Sequence, residues 1–112
     1  MTSSLRYRPS GYLSARVLAG LFEPVESETP AGGRAVSFEA LGSAWLRLGA
    51  RRRRERVEAG VMRTVEAATA EARADPRLSE GLVLRFGGAD WRIAAVDDGR
   101  PGRVALSLER AR

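Results

Sequence analysis

Cysteine and histidine are both absent from the 112 residues of this chain. Without cysteine there is no disulfide framework and no thiolate metal site, and without histidine the commonest metal ligand and the commonest general base are missing. No recognisable pair of nucleophile and base replaces them. The sequence therefore argues against most classes of enzyme, and it predicts neither a cofactor nor a bound metal.

Long apolar runs are also lacking. No stretch approaches the roughly 20 apolar residues that a membrane-spanning helix needs, and the N-terminal residues lack the apolar centre of a signal peptide. A chain of 112 residues is expected to form one domain with little room for a separate catalytic lobe. We therefore expect a soluble, intracellular, single-domain protein without a membrane partner.

Lysine and asparagine are missing too, and all 19 basic residues are arginine, with a formal net charge of +5. A GC-rich coding sequence explains the choice of arginine, so this choice is not evidence for phosphate recognition. The net charge still predicts an anionic partner. The clustering of five arginines within six positions needs its own explanation: Arg51, Arg52, Arg53, Arg54 and Arg56.

The N-terminal third divides into three pieces. Residues 1–12 are polar and predict a flexible arm, and the short apolar segment 13–22 is compatible with either a strand or a helix. Residues 23–33 combine glutamates with two prolines and the pair Gly32-Gly33, a composition typical of a loop. The sequence therefore predicts a long acidic loop after the first element.

Period-two alternation over residues 35–48 predicts a half-buried strand. Gly42 within it predicts a bend or bulge, and Leu41 and Trp45 are apolar exceptions on the outer side. The face predicted to point inward consists of Val36, Phe38, Ala40, Gly42, Ala44, Leu46 and Leu48.

The C-terminal third predicts three antiparallel strands. Residues 82–86 and 91–96 flank the glycine-bearing turn 87–90 and indicate a hairpin. The last strand alternates strictly over residues 103–109, with Val104, Leu106 and Leu108 facing inward. Asp97 and Asp98 precede Gly99 and are interpreted as turn residues rather than as a catalytic carboxylate pair.

Residues 51–74 are ambiguous. Local spacing of small and branched apolar residues favours one long helix, but Gly60 near its middle costs about 1 kcal/mol relative to alanine. The alternative is a break at Gly60 followed by a strand over residues 62–74. Sequence physics alone prefers the helix.

The ordered set of pieces resembles the small head–tail joining proteins of long-tailed bacteriophages, also called head closure or stopper proteins, including those of gene transfer agents. The resemblance covers about residues 13–110. It implies that they form a single joining domain with exposed loops at 23–34 and 50–61. The matching pieces are the loop ending AGG at 31–33, the LG-x-x-W core in residues 38–48, the Arg54-Glu55 element, RADPRL at 73–78, and residues 81–98 with a last strand to Glu109.

This resemblance implies a mainly β fold, a small antiparallel barrel or sandwich, with a strand over 62–74 and one short helix in the connection between the second and third strands. It also implies a homo-oligomeric ring in a virion or virus-like particle assembled in the bacterial cytoplasm. The ring's partners would be portal or adaptor proteins on the head side, tail terminator or tail tube proteins on the tail side, and double-stranded DNA in the channel.

In such a ring the arginine run has three interpretations: it lines the DNA channel, pairs with acids of a neighbouring subunit, or is a solvated loop. The pairing acids would be Glu55, Glu58 or those of the acidic loop of a neighbouring subunit, the loop that contains Glu23, Glu26, Glu28, Gly32 and Gly33. Trp45 and Trp91 are expected to be packing or interface anchors. The competing hypotheses are a free-standing nucleic-acid-binding domain that uses Arg51 to Arg54, and a small regulatory or toxin-type partner protein.

Overall fold

Six β-strands form the part of the chain that the computed structural model describes, residues 16–111. They are β1 (Arg16–Glu28), β2 (Arg34–Glu58), β3 (Val61–Arg73), β4 (Val83–Phe86), β5 (Ala89–Asp98) and β6 (Arg103–Arg110). Neighbouring strands are antiparallel and close into a barrel in the order β1-β2-β3-β6-β5-β4. The predicted mainly β fold is confirmed, whereas the predicted flexible arm of residues 1–12 lies outside the described residues.

The barrel interior is filled by side chains that alternate along the strands. Leu106 and Leu108 point inward from β6 as predicted, and each fully buried aliphatic side chain of this size contributes about 1.5–3 kcal/mol. Closure of the sheet also leaves the barrel without the open edges that invite aggregation. The largest fully buried side chains are Leu21, Leu46, Leu84, Trp91, Ile93, Leu106 and Leu108.

Strand β2 is 25 residues long and extends well beyond the barrel in both directions. Its first part pairs with the end of β1 and its last part pairs with the start of β3, so each end forms a two-stranded arm. We call residues 23–40 the acidic arm and residues 49–66 the basic arm. The described chain measures 66 × 33 × 26 Å, and its radius of gyration of 16.9 Å exceeds the roughly 13 Å of a compact domain of this length.

The short helix predicted between the second and third strands is absent from residues 16–111. Instead, β2 continues through the arginine run to Glu58, and a two-residue turn leads into β3. Ala59 and Gly60 both have positive φ, 51° and 77°, as a type I′ hairpin turn requires. Gly60 therefore marks a chain reversal rather than a flaw in a helix, and the strand favoured by the resemblance over 62–74 is confirmed.

The predicted loops are likewise mostly strand. Within 23–34, only residues 29–33 form a turn, because β1 extends to Glu28 and β2 begins at Arg34. Pro24 is tolerated because β1 beyond Phe22 pairs with β2 alone and leaves its other edge free. The composition of this segment therefore predicts the turn at 29–33 correctly, but the loop prediction is wrong for residues 23–28, which are strand.

Part of the predicted inward face of β2 is wrong because the strand contains a bulge. Leu21 pairs with Gly42 and Phe22 pairs with Ala40, so Leu41 is an extra residue and the alternation shifts by one. Leu46 and Ala44 point toward the core as predicted, but beyond the bulge Val36 and Phe38 lie exposed on the acidic arm. The bulge itself confirms the prediction made from Gly42, whose φ is 129°.

Candidate functional site

The arginine run is a strand, so its side chains alternate between the two faces of the basic arm. Register with β3 places Arg52, Arg54 and Arg56 on one face, opposite Ala67, Val65 and Arg63. Arg51 and Arg53 lie on the other face, opposite Ala68 and Glu66. Five arginines that are nearly continuous in sequence therefore form two separate rows.

The first row is held by a buried carboxylate. Glu109 on β6 is 7% exposed and accepts hydrogen bonds from Arg54, Arg56 and Arg92. The hydrogen bond from Arg56 is the main reason that the pKa of Glu109 lies below its ordinary value, against the opposing effect of burial. Three guanidinium groups around one carboxylate leave this cluster with an excess of positive charge.

The second row begins at the end of the barrel core. The guanidinium carbon of Arg51 lies 5.2 Å from the ring centroid of Trp91, and that of Arg110 lies 5.9 Å from it. Phe86 stacks on the same indole with ring centroids 5.8 Å apart. Trp91 therefore closes the barrel beneath the basic arm, and Arg51 joins the arm to it by a cation–π contact.

Two members of the run remain accessible. The Arg53 side chain is 76% exposed and its nearest carboxylate, Glu66, is 4.0 Å away. Arg52 has no ion pair among residues 16–111. Arg52 and Arg53 are thus the arginines of the run that can most readily reach an external anion.

The acidic arm ends in a tight turn. The Gly33 amide donates to Thr29 Oγ1 at 3.0 Å, and Gly32 has a φ of 84°, a conformation that favours glycine. Glu26 pairs with Arg34 at 2.8 Å, whereas Glu23 lies directly opposite Glu39. Within residues 16–111, Glu23, Glu28 and Glu39 form no ion pair, so the arm keeps most of its negative charge.

The two tryptophans have different surroundings. Trp91 is 2% exposed and packs in the barrel core. Trp45 is 57% exposed on the outer wall of the barrel, opposite Leu18 and beneath the Arg16 guanidinium. Its environment fits the interface interpretation, since a large exposed aromatic side chain is costly to leave in water.

Two of the sequence pieces that supported the resemblance meet at the bulge. Arg77 of RADPRL donates to the carbonyl oxygens of Leu41 and Ser43, at 3.0 and 3.2 Å, on either side of Gly42. It also bonds both carboxylate oxygens of Asp75, which lowers the pKa of Asp75. The φ of Gly42 favours glycine, and a Cβ on residue 42 would also force the Arg77 guanidinium to move.

Sequence reasoning missed Glu109, Glu66 and Arg77. Glu109 was placed correctly on the outward side of the last strand, but alternation does not show that this outward side chain is covered by arginines from another strand. The contacts of Glu66 likewise depend on strand register, and those of Arg77 depend on the path of the connection between β3 and β4.

Among residues 16–111, no group of three or more acidic side chains could hold a metal ion.

No helix within residues 16–111 is long and apolar enough to cross a membrane.

Comparison with solved structures gives a structural relative of this chain. The chain is similar to a chain of a structure described as the virion of a native gene transfer agent particle, with a TM-score of 0.63 and 26% sequence identity. The similarity covers 85% of this chain and 94% of that chain. No protein-family model and no curated protein matches the sequence.

Proposed function

We propose that this chain is a structural, non-enzymatic virion protein that assembles as a ring and joins a phage-like head to its tail. The observation that supports the proposal is its similarity, over nearly the full length of both chains, to a chain of a gene transfer agent virion. The ring would contact portal or adaptor proteins on one side and tail terminator or tail tube proteins on the other. Its location would be the head–tail junction, after assembly in the bacterial cytoplasm.

The basic arm is the part proposed to reach the DNA channel. Arg54 and Arg56 are paired with Glu109 and Arg51 lies over Trp91, so Arg52 and Arg53 are the arginines of the run best placed to meet phosphates. A channel must let the duplex slide, and each phosphate neutralised adds to a grip that opposes movement. Internal pairing of the run therefore suits a channel lining better than five free arginines would.

The acidic arm and Trp45 are proposed to face other subunits. Glu23, Glu26 and Glu28, with the turn at Gly32 and Gly33, form a charged projection far from the basic arm. Trp45 adds an exposed aromatic surface on the barrel wall. Projections of this kind gain order and burial when a neighbouring chain covers them.

Deletion of the gene in cells that produce the particle tests this function. Electron microscopy of lysates is expected to show DNA-filled heads and separate tails, and expression of the wild-type protein in trans should restore joined particles. A matched control is expression of Glu80→Gln in trans, an exposed change in the connection between β3 and β4 that lies outside both arms. Joined particles in the deletion strain would contradict the proposal.

A free-standing duplex-binding domain is the second candidate, and the exposed side chains of Arg52 and Arg53 favour it. In the ring proposal the isolated protein binds duplex weakly at physiological salt. Gel-shift assays over a salt series distinguish the two, with Arg52→Gln/Arg53→Gln compared with wild type. Tight, strongly salt-dependent binding that this double variant abolishes would favour the second candidate.

A further inference from the structure

A cleft of about 370 Å³ lies on the barrel wall beside Trp45, away from the basic arm. Its walls include the side chains of Arg16, Arg47, Arg73 and Arg103. We infer that this cleft is a binding site for the acidic arm of a second copy of the chain. The inference depends on the proposed ring only for closure of the assembly, since the pairing of the two surfaces follows from their own charges and exposed side chains.

The register concentrates like charges in the cleft. Arg16 lies directly opposite Arg47 on β1 and β2, and Arg73 lies directly opposite Arg103 on β3 and β6. Like charges at directly opposed positions destabilise a sheet. Two such pairs lining one cleft indicate that an external anion offsets their repulsion.

The two carboxylates in the cleft are engaged elsewhere. Glu71 binds Arg100 at 2.8 Å and reaches Arg47 only at 3.8 Å, while Asp75 binds Arg77 at 2.7 Å. The Nε atom of Arg47 is buried and has no hydrogen-bond acceptor. A buried donor without a partner is costly, so the Arg47 guanidinium is incompletely satisfied within the chain.

The acidic arm has the complementary features. Glu23 and Glu39 form a directly opposed pair of like negative charges, and the arm as a whole has four glutamates against one arginine. Its other face exposes Phe38 and Val36, at 43% and 55%. The register puts Glu26 and Glu28 on the same face as Val36 and Phe38, so this face offers both carboxylates and apolar area to the arginines and Trp45 of the cleft.

A chain's own acidic arm cannot fill its own cleft. Arg16 begins β1 and the arm's turn follows Glu28, so the same strand leads from the cleft to the distant tip. The contact therefore joins different surfaces of two copies, which is a head-to-tail interface. Interfaces of this kind form rings when the rotation closes and filaments when it does not.

Two complementary variants of the full-length protein test the site by sedimentation velocity. The arm variant is Glu26→Gln/Glu28→Gln/Phe38→Thr, and the cleft variant is Trp45→Thr/Arg73→Gln/Arg103→Gln. At low salt, wild type is expected to sediment as oligomers, and each variant alone as a monomer. An equimolar mixture should form dimers and nothing larger, because only one intact arm and one intact cleft remain to pair.

The matched control is Arg52→Gln/Arg53→Gln, which removes the same amount of positive charge from the basic arm. It should assemble like wild type, since that arm is not part of the contact. The inference is overturned if wild type stays monomeric at low salt, if either variant assembles alone, or if the mixture fails to form dimers. It is also overturned if the basic-arm variant alone abolishes assembly, or if duplex DNA binding is lost in the cleft variant and kept in the arm variant.

Circular dichroism of each variant separates loss of contact from loss of fold, because all substituted positions except Arg103 are exposed. The particle assay described above gives an independent result. Joined particles in the deletion strain would refute the head–tail role. The dimer formed by the arm and cleft variants could still be measured in that case. Failure of the mixture to pair, with heads and tails still separated by the deletion, would refute this contact alone.

Discussion

Arg77 fixes the bulge from which the acidic arm departs. Its guanidinium satisfies the Leu41 and Ser43 carbonyls and is itself held by Asp75, so one side chain sets the backbone path on both sides of Gly42. Such an arrangement suits a position where the strand must change face, because unpaired carbonyls at a bulge need a donor.

Gly42→Ala tests this coupling. The substitution places a Cβ against the guanidinium at a φ of 129°, and we expect a loss of about 1–3 kcal/mol in the free energy of unfolding. In an Arg77→Ala background the collision disappears and only the backbone strain remains. Gly42→Ala should then lower the free energy of unfolding by a clearly smaller amount. Urea denaturation of the four proteins gives the coupling energy. Equal losses in both backgrounds would show that Arg77 and Gly42 act independently.

Glu109→Gln removes the only carboxylate among the described residues that binds Arg54, Arg56 and Arg92 together. Because the arginines are partly exposed and water screens them, we expect a moderate loss of about 1–2 kcal/mol rather than that of a fully buried pair. Glu58→Gln is the control, since Glu58 pairs with Arg56 and Arg63 near the exposed tip. Chemical denaturation should show little change for this control. An equal loss in both variants would exclude a special role for Glu109.

At the scale of elements, the two arms differ from the barrel in how many strands support them. Residues 23–28 of β1 pair with β2 alone, and a two-stranded ribbon is marginal without further cover. We therefore expect fast hydrogen exchange over residues 23–34 in the isolated protein and slower exchange in the assembled particle. The Leu106–Leu108 region, buried in the barrel, serves as the internal control. Equal protection of the acidic arm in both states would count against an inter-subunit role.

The elements differ in how far local sequence determines them. Alternation in residues 103–109 predicts both the strand and its inward face, because Leu106 and Leu108 are buried in the barrel. The segment around Gly60 has helical spacing, and it becomes a hairpin because pairing with β2 and with β6 outweighs local propensity. Val36 and Phe38 were assigned to the wrong face because one extra residue at Leu41 reverses every position beyond it.

The candidate site was predictable only in part for the same reason. Composition locates the arginines and the acidic segment, but not the row to which each arginine belongs. That assignment follows from strand register, which brings together Glu109 and Arg54, 55 positions apart in sequence. The exposure of Trp45 also depends on register, because its place on the wall is set by pairing with Leu18.

At the scale of the whole molecule, charge is separated along one axis. Strand β2 begins in an arm with four glutamates against one arginine and ends in an arm with six arginines against three glutamates. A body of this kind orients in the field of its neighbours before contact, since charge asymmetry steers association. Distinct ends also favour head-to-tail contacts over symmetric pairs, as the proposed ring requires.

The same ion pairs make the molecule sensitive to acid. The pKa values of Glu71, Asp75, Asp90 and Glu109 are all lowered, in each case chiefly by a hydrogen bond from an arginine side chain. Groups with a folded-state pKa below the unfolded value bind more protons after unfolding. Their contribution to stability is therefore complete above the unfolded values, about pH 4–4.5, and is lost as the pH falls through the folded values.

Urea midpoints measured between about pH 7 and pH 3 test this dependence. Wild type should lose stability progressively below about pH 4.5, as protons bind first to the unfolded chain. Glu109→Gln should be less stable than wild type at neutral pH, and the two curves should converge in acid, where Glu109 of wild type also becomes neutral. Parallel curves across the whole range would show that the deficit of Glu109→Gln comes from altered packing. Convergence would identify the charge of Glu109 as the element that holds the basic arm against the barrel.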